Sequence, residues 1–343
     1  MALNLNGTLT GNMINSLSTV YIASLTPSVI GSFSVLVASI VKWRNLREQV
    51  HVLVQLAVAD LLAALILMVT SIMNKVDASV DIVICHYFLP LSLTFYFISF
   101  LLVVVYAWKS RNAIQGWRES QSDDQGQCAR KTVDFSLYAL VWLIPFALYL
   151  VYIFTDYIQA QMIIPLDDNT DFPTDNAYCT RCILFLDVWK AVCSQHEELH
   201  ILFIRLFFFF VVIPVMVICS FIYCKVRKWY ERREREQAGL FNVGGDAQSR
   251  TVISTTRNMV LVILVCWAPA LLLILLSTLM IWINIEQRSL FWLYIIQAIS
   301  VSLQGFLNSM VYAWRRPNFR DVALGERTPL TAYSRPHFFE DSI

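Results

Sequence analysis

Apolar positions in this chain gather in long stretches separated by polar and charged segments. Seven blocks are long enough to span a membrane: Leu17 to Val41, Val50 to Met73, Ile84 to Trp108, Val133 to Thr155, Leu199 to Cys224, Met259 to Trp282 and Leu290 to Trp314. At about 1.5 Å per residue, some 20 apolar residues in a helix cross a hydrocarbon core of about 30 Å. The pattern predicts an all-α membrane protein, a bundle of seven transmembrane helices. Trp43, Trp108, Tyr157, Trp282 and Trp314 lie close to the block ends, where amphipathic rings prefer to sit. The block from Met259 to Trp282 carries no charge and encloses Cys266-Trp267-Ala268-Pro269. Pro269 removes a backbone hydrogen bond and bends its helix. Trp267 beside that bend reads either as a packing aromatic at an ordinary kink or as a part that moves.

Composition supports the membrane reading. Of 343 residues 57% are hydrophobic and 15% charged, with mean hydropathy +0.57; a soluble domain has about a quarter of its residues charged. The first residues lack a basic start, so no cleavable signal peptide is expected. Lysine and arginine orient the bundle. The segment after the first block holds three, that after the third five, that after the fifth eight and the tail five, against four on the opposite side. Positive residues stay in the cytoplasm. Residues 1–16 are therefore expected outside, 17–314 form the seven-helix domain, and 315–343 form a cytoplasmic tail with a short surface helix near Pro317. Asn6-Gly7-Thr8 is a glycosylation sequon on the expected outer side. The fifth helix is expected to continue past the bilayer through Lys225-Val226-Arg227-Lys228 and the mixed-charge run behind it.

Cys85, Cys179, Cys182 and Cys193 also fall on that outer side. An even count in an oxidising compartment suggests two disulfides. Cys85–Cys193 with Cys179–Cys182 is favoured, and Cys85–Cys182 is the rival pairing. The segment from Asp156 to Glu198 is acidic in its first half. It reads as a solvated loop or as a lid over a ligand entrance. No internal repeat is visible, which argues against a transporter of two related halves.

A few polar residues inside the blocks need a reason. Asp60 is halfway along the second block, where an ionisable group is costly and functional by default. Its expected partners are Asn308 or Ser309, with water or a sodium ion between. The alternative is a protonated, hydrogen-bonded acid of structural use only. Arg205 either snorkels to the surface or faces a cavity and an anionic ligand group. Asn308 and Tyr312 share one helical face. No cluster of His, Asp or Glu occurs within the blocks, so neither an enzyme, nor a resident metal beyond sodium, nor a cofactor is expected. No nucleic-acid partner is expected either.

These residues resemble the rhodopsin-like G-protein-coupled receptors over about Leu17 to Phe319. Leu56-Ala57-Val58-Ala59-Asp60 resembles the helix 2 motif, and Cys85 the cysteine heading helix 3. Trp142 is similar to the helix 4 tryptophan, and Pro214, with Tyr223 displaced by one, to helix 5. Cys266 to Pro269 matches Cys-Trp-x-Pro, and Asn308 to Tyr312 resembles Asn-Pro-x-x-Tyr. The end of the seventh block also resembles the transmembrane protein 116 group. The resemblance implies a receptor in the plasma membrane with an unidentified ligand and a heterotrimeric G protein as partner. It implies a switch of Asp60, Trp267, Pro269, Asn308 and Tyr312. Ser92, Tyr96, Arg205, Phe209, Trp267, Leu271 and Tyr294 become pocket candidates. Arg111, Arg227, Lys228 and Arg257 become transducer contacts. The departures are specific. Lys109-Ser110-Arg111 stands for Asp-Arg-Tyr, Ser309 for the helix 7 proline, and Gly31-Ser32 for Gly-Asn. Ser92 and Ser302 replace the aspartate of amine receptors and the lysine of opsins, so neither type is expected. A receptor-shaped scaffold or trafficking protein without exchange activity is the alternative.

Overall fold

The computed structural model describes residues 9, 11–41, 49–76, 82–116, 126–162, 182–185, 202–237, 246–280 and 287–315. Towards the ends of some helices, and at Cys85, Arg111, Arg227 and Tyr312 among others, the backbone is described and the side chain is not. Among these residues the regular structure is entirely helical. The first four helices are α1 (Gly11–Val41), α2 (Gln49–Val76), α3 (Ile82–Gly116) and α4 (Gly126–Met162). Residues 202–207 begin the fifth span, a π-helical turn Phe208–Val212 comes next, and α5 (Ile213–Gln237) continues it. Then comes α6 (Asp246–Met280). The seventh span is built in two pieces, α7 (Phe291–Ser302) and α8 (Gln304–Arg315), after a short 3-10 turn. Seven helical stretches are long and apolar enough to cross a membrane. The expected blocks are all present, and most of the helices run beyond them. α5 reaches Gln237, as its mixed-charge sequence suggested. α4 carries Asp156, which therefore lies in a helix and not at the head of the next loop.

Four of the five prolines among the described residues sit inside helices without ending them: Pro27, Pro90, Pro145 and Pro269. Neighbouring helices and local adjustments re-satisfy the freed backbone groups. Pro214 is handled differently. Its ring would collide with the carbonyl four residues earlier. Just before it the ladder widens to five-residue spacing, and the Ile213 N–H donates to the Phe208 carbonyl. A π-turn also rotates the helix beyond it relative to an unbroken α-helix.

α3 is the most enclosed span and α4 the least. α1 packs on α2 and on both halves of the seventh span, while α6 contacts α5, α3, α7 and α8. The core is built from fully enclosed side chains such as Leu17, Leu67, Leu93, Phe100, Phe208 and Trp267. Large apolar residues such as Phe33, Leu143, Phe154, Phe210, Phe221 and Trp292 stay exposed on the outside. On a soluble protein such patches would drive association; here they meet lipid.

Candidate functional site

The seventh span breaks at Leu303, and the break has an identifiable cause. In an unbroken helix the Phe306 N–H would donate to the Ser302 carbonyl. Instead it donates to Ser28 Oγ of α1 at 3.0 Å. The Ser28 hydroxyl in turn donates to the Ser302 carbonyl. One hydroxyl from another helix has entered the ladder, a known way to kink a helix. The regular spacing holds on both sides, from Leu303 N–H to Ile299 and from Leu307 N–H to Leu303. No proline is needed. Ser309, where the resemblance expects one, instead donates to the Gly305 carbonyl at 2.7 Å and lies against Gly31.

The break presents Gln304 to the centre of the bundle, where it meets Asp60. Both are buried. The Gln304 amide N–H groups donate to Asp60 Oδ1 (3.2 Å) and to Ser99 Oγ (2.9 Å). Ser99 donates its own proton to Asp60 Oδ1 at 2.7 Å. Asn308 Nδ2 donates to Asp60 Oδ2 at 2.8 Å. On the other side, the Trp267 indole N–H donates to Gln304 Oε1 at 2.6 Å. A single chain of hydrogen bonds therefore joins α2, α3, α6 and α8. Each bond satisfies a group that would be costly to bury alone. Gly305 allows this closeness: a Cβ there would stand 3.0 Å from Ser32 Oγ and 3.3 Å from Asp60 Cβ.

Rings hold Trp267 from above and beside. Tyr96 and Phe100 of α3 meet it edge-on, with centroids at 5.3 and 4.9 Å. Phe208 of the π-turn lies at 6.0 Å. Phe185, from the connection between α4 and α5, lies at 6.3 Å. Edge-to-face pairs of this kind are worth about 0.5–1.5 kcal/mol each beyond burial.

Of the two partners expected for Asp60 through water or a sodium ion, Asn308 bonds it directly, and Ser309 turns to the Gly305 carbonyl. Gln304 and Ser99 were not expected there. A residue four before Asn308 shares its helical face, and that spacing was the available signal. Among the pocket candidates, Tyr96, Trp267 and Tyr294 are buried at this level. Ser92 is buried with its hydroxyl on the Leu89 carbonyl of its own helix, 2.8 Å away. Leu271 and Arg205 are half-buried. Phe209 is exposed, and its neighbour Phe208 faces Trp267. Of the basic candidates, Lys228 is exposed and Arg257 half-buried. The side chains of Arg111, Arg227 and Tyr312 lie outside the described residues, as do those of Cys85, Cys179 and Cys193, together with Asn6 and Pro317.

A second polar contact ties α3 to α4 near the α4–α5 connection. The Tyr87 hydroxyl donates to Asp156 Oδ2 at 3.1 Å, and the Tyr149 hydroxyl to the Tyr87 carbonyl at 3.3 Å. No cluster of three metal-ligating side chains occurs among the described residues.

A seven-helix, multi-pass membrane protein with a polar chain through its centre is what the geometry defines. The family model of transmembrane protein 116 matches residues 16–330. That is almost the whole chain, and the chain belongs to this family.

Proposed function

We propose that this protein is a seven-helix receptor whose resting state is locked by the chain Asp60–Gln304–Trp267. The carrying observation is the 2.6 Å bond from the Trp267 indole to Gln304, which itself grips Asp60. It ties the proline-bent α6 to the broken seventh span. A ligand, or a spontaneous fluctuation, that repacks Trp267 would release α6 from α8, a shift between two packed states. In this reading the N-terminus and Asn6 face outward and the tail faces the cytoplasm of the plasma membrane. Arg111, Arg227, Lys228 and Arg257 then line a basic cleft for a heterotrimeric G protein. Two disulfides belong to the same reading, Cys85–Cys193 with Cys179–Cys182, and Cys85–Cys182 is the rival pairing. No catalytic activity is part of it.

A sodium ion beside Asp60 fits the leftover oxygens. Asp60 Oδ2 accepts one donor, and Asn308 Oδ1 and Ser32 Oγ have no partner among the described residues. Hard cations of this type take oxygen ligands.

The scaffold reading rests on one departure. Lys109 stands where the receptor family has an acid, and its ammonium lies 4.6 Å over the Tyr138 ring. The two readings part in one experiment. Arg111, Arg227, Lys228 and Arg257 are neutralised together, and nucleotide exchange and proximity-labelled partners are measured at equal surface level. The receptor reading expects exchange to fall. Unchanged exchange with an unchanged partner set favours the scaffold.

A further inference from the structure

The segment Cys182–Phe185, which lies between α4 and the fifth span in the chain, is enclosed by the bundle. Ile183, Leu184 and Phe185 are 3%, 0% and 3% exposed. Phe185 meets Phe208 edge-on at 4.8 Å and reaches Trp267. Cys182 and Phe185, at the two ends of the segment, both have left-handed backbone, with φ of 54° and 67°. A bulky residue adopts that conformation only under constraint. Strain of this kind persists where surrounding structure over-determines it, and it clusters at ligand clamps and switches.

The polar fit of the segment is incomplete. The Tyr21 hydroxyl is within 3.5 Å of the Leu184 carbonyl and 3.1 Å of Gln297 Oε1. Gln297 is fully buried, yet its Nε2 has no partner among the described residues. Turning the amide over does not help: one of its two heteroatoms then lacks a partner instead. A buried amide left half-used, beside an apolar segment bent in under strain, marks a site that the segment fills without matching.

We propose that Leu184 and Phe185 are the built-in occupants of a ligand site between α1, the π-turn of the fifth span, α6 and α7. The ligand class that displaces them is an apolar molecule with one amide-complementary head, which would take up the free valence of Gln297. The inference stands apart from G-protein coupling, because its test reads accessibility and not signalling.

The test uses the full chain in lipid nanodiscs with Ala270→Cys. Ala270 is buried one turn beyond Trp267 on the same face of α6. A membrane-impermeant methanethiosulfonate is applied, and the label at position 270 is followed by mass spectrometry. With the segment intact the thiol labels slowly. Phe185→Gly removes the ring and suits the left-handed backbone, and labelling should rise at least tenfold. Octanamide should then restore protection, and should fail to do so once Gln297→Leu is added. An unchanged labelling rate overturns the proposal. So does a chain that no longer folds with Phe185→Gly or with Leu184→Ala, because the segment would then be core. Octanamide that gives no protection, or protects equally with Gln297→Leu, overturns the assigned ligand class.

Discussion

Gln304→Leu is the sharpest perturbation of the central chain. The side chain is fully buried and makes three hydrogen bonds, at 2.6, 2.9 and 3.2 Å. Leucine keeps similar bulk and makes none. Interhelical side-chain hydrogen bonds within membrane proteins average about 0.6 kcal/mol, because the unfolded chain in lipid also finds partners. Three such bonds would sum to roughly 2 kcal/mol. Stranding a buried donor costs about 1–3 kcal/mol on its own, and here the Trp267 indole N–H is stranded. Asp60 still keeps Ser99 and Asn308 as donors, so its share of the loss is small. A destabilisation of about 2 kcal/mol is expected, set mainly by the indole. Reversible unfolding of the purified chain in mixed micelles measures it. The diagnostic step is a double-mutant cycle with Trp267→Phe, which removes the donor. In that background Gln304→Leu should cost about 1 kcal/mol less. If the two changes add within about 0.3 kcal/mol, the bond between Trp267 and Gln304 carries no energy and the lock does not exist.

Ser28→Ala removes the hydroxyl that bridges Phe306 N–H and the Ser302 carbonyl; hydrogen exchange at the Phe306 amide should quicken, with a stability loss of about 1 kcal/mol. Exchange as slow as in the unaltered chain would mean that the helix closes the bond unaided. Gly305→Ala should destabilise by about 1–3 kcal/mol, since the new methyl meets Ser32 and Asp60. Gly11→Ala meets nothing within 4 Å and should not; equal melting of the two variants would contradict the packing described. Asn6→Gln should abolish a glycosidase-sensitive mobility shift of the chain from cells, and absence of any shift in the unaltered chain would count against an outward N-terminus.

The seven helices were legible because lipid demands long apolar blocks, and that demand is local in sequence. Asp60 was legible for the same reason: a carboxylic acid among leucines and alanines has to be explained. Its partner Asn308 followed from one familiar motif. What escaped was non-local. Nothing around Leu303 announces a break, because its cause is a serine hydroxyl 274 residues away on α1. Gln304 carries no charge, so it drew no attention until the break aimed it inward. Phe207 to Phe210 are four identical residues, and no periodicity can choose among them. The π-turn ahead of Pro214 sets which one meets Trp267, and the ring there is Phe208. The apolar run from Ile183 to Leu186, between α4 and the fifth span, was a readable signal that the acidic stretch before it obscured.

The most direct measurement of the lock's function is nucleotide exchange across a full panel of G proteins, in cells with matched surface expression. The unaltered chain and Gln304→Leu are compared. At least one G protein should respond, and releasing Trp267 from Gln304 should change its basal signal several-fold. Exchange that stays at the level of cells lacking the protein, in every channel and for both chains, would contradict a receptor governed by this lock.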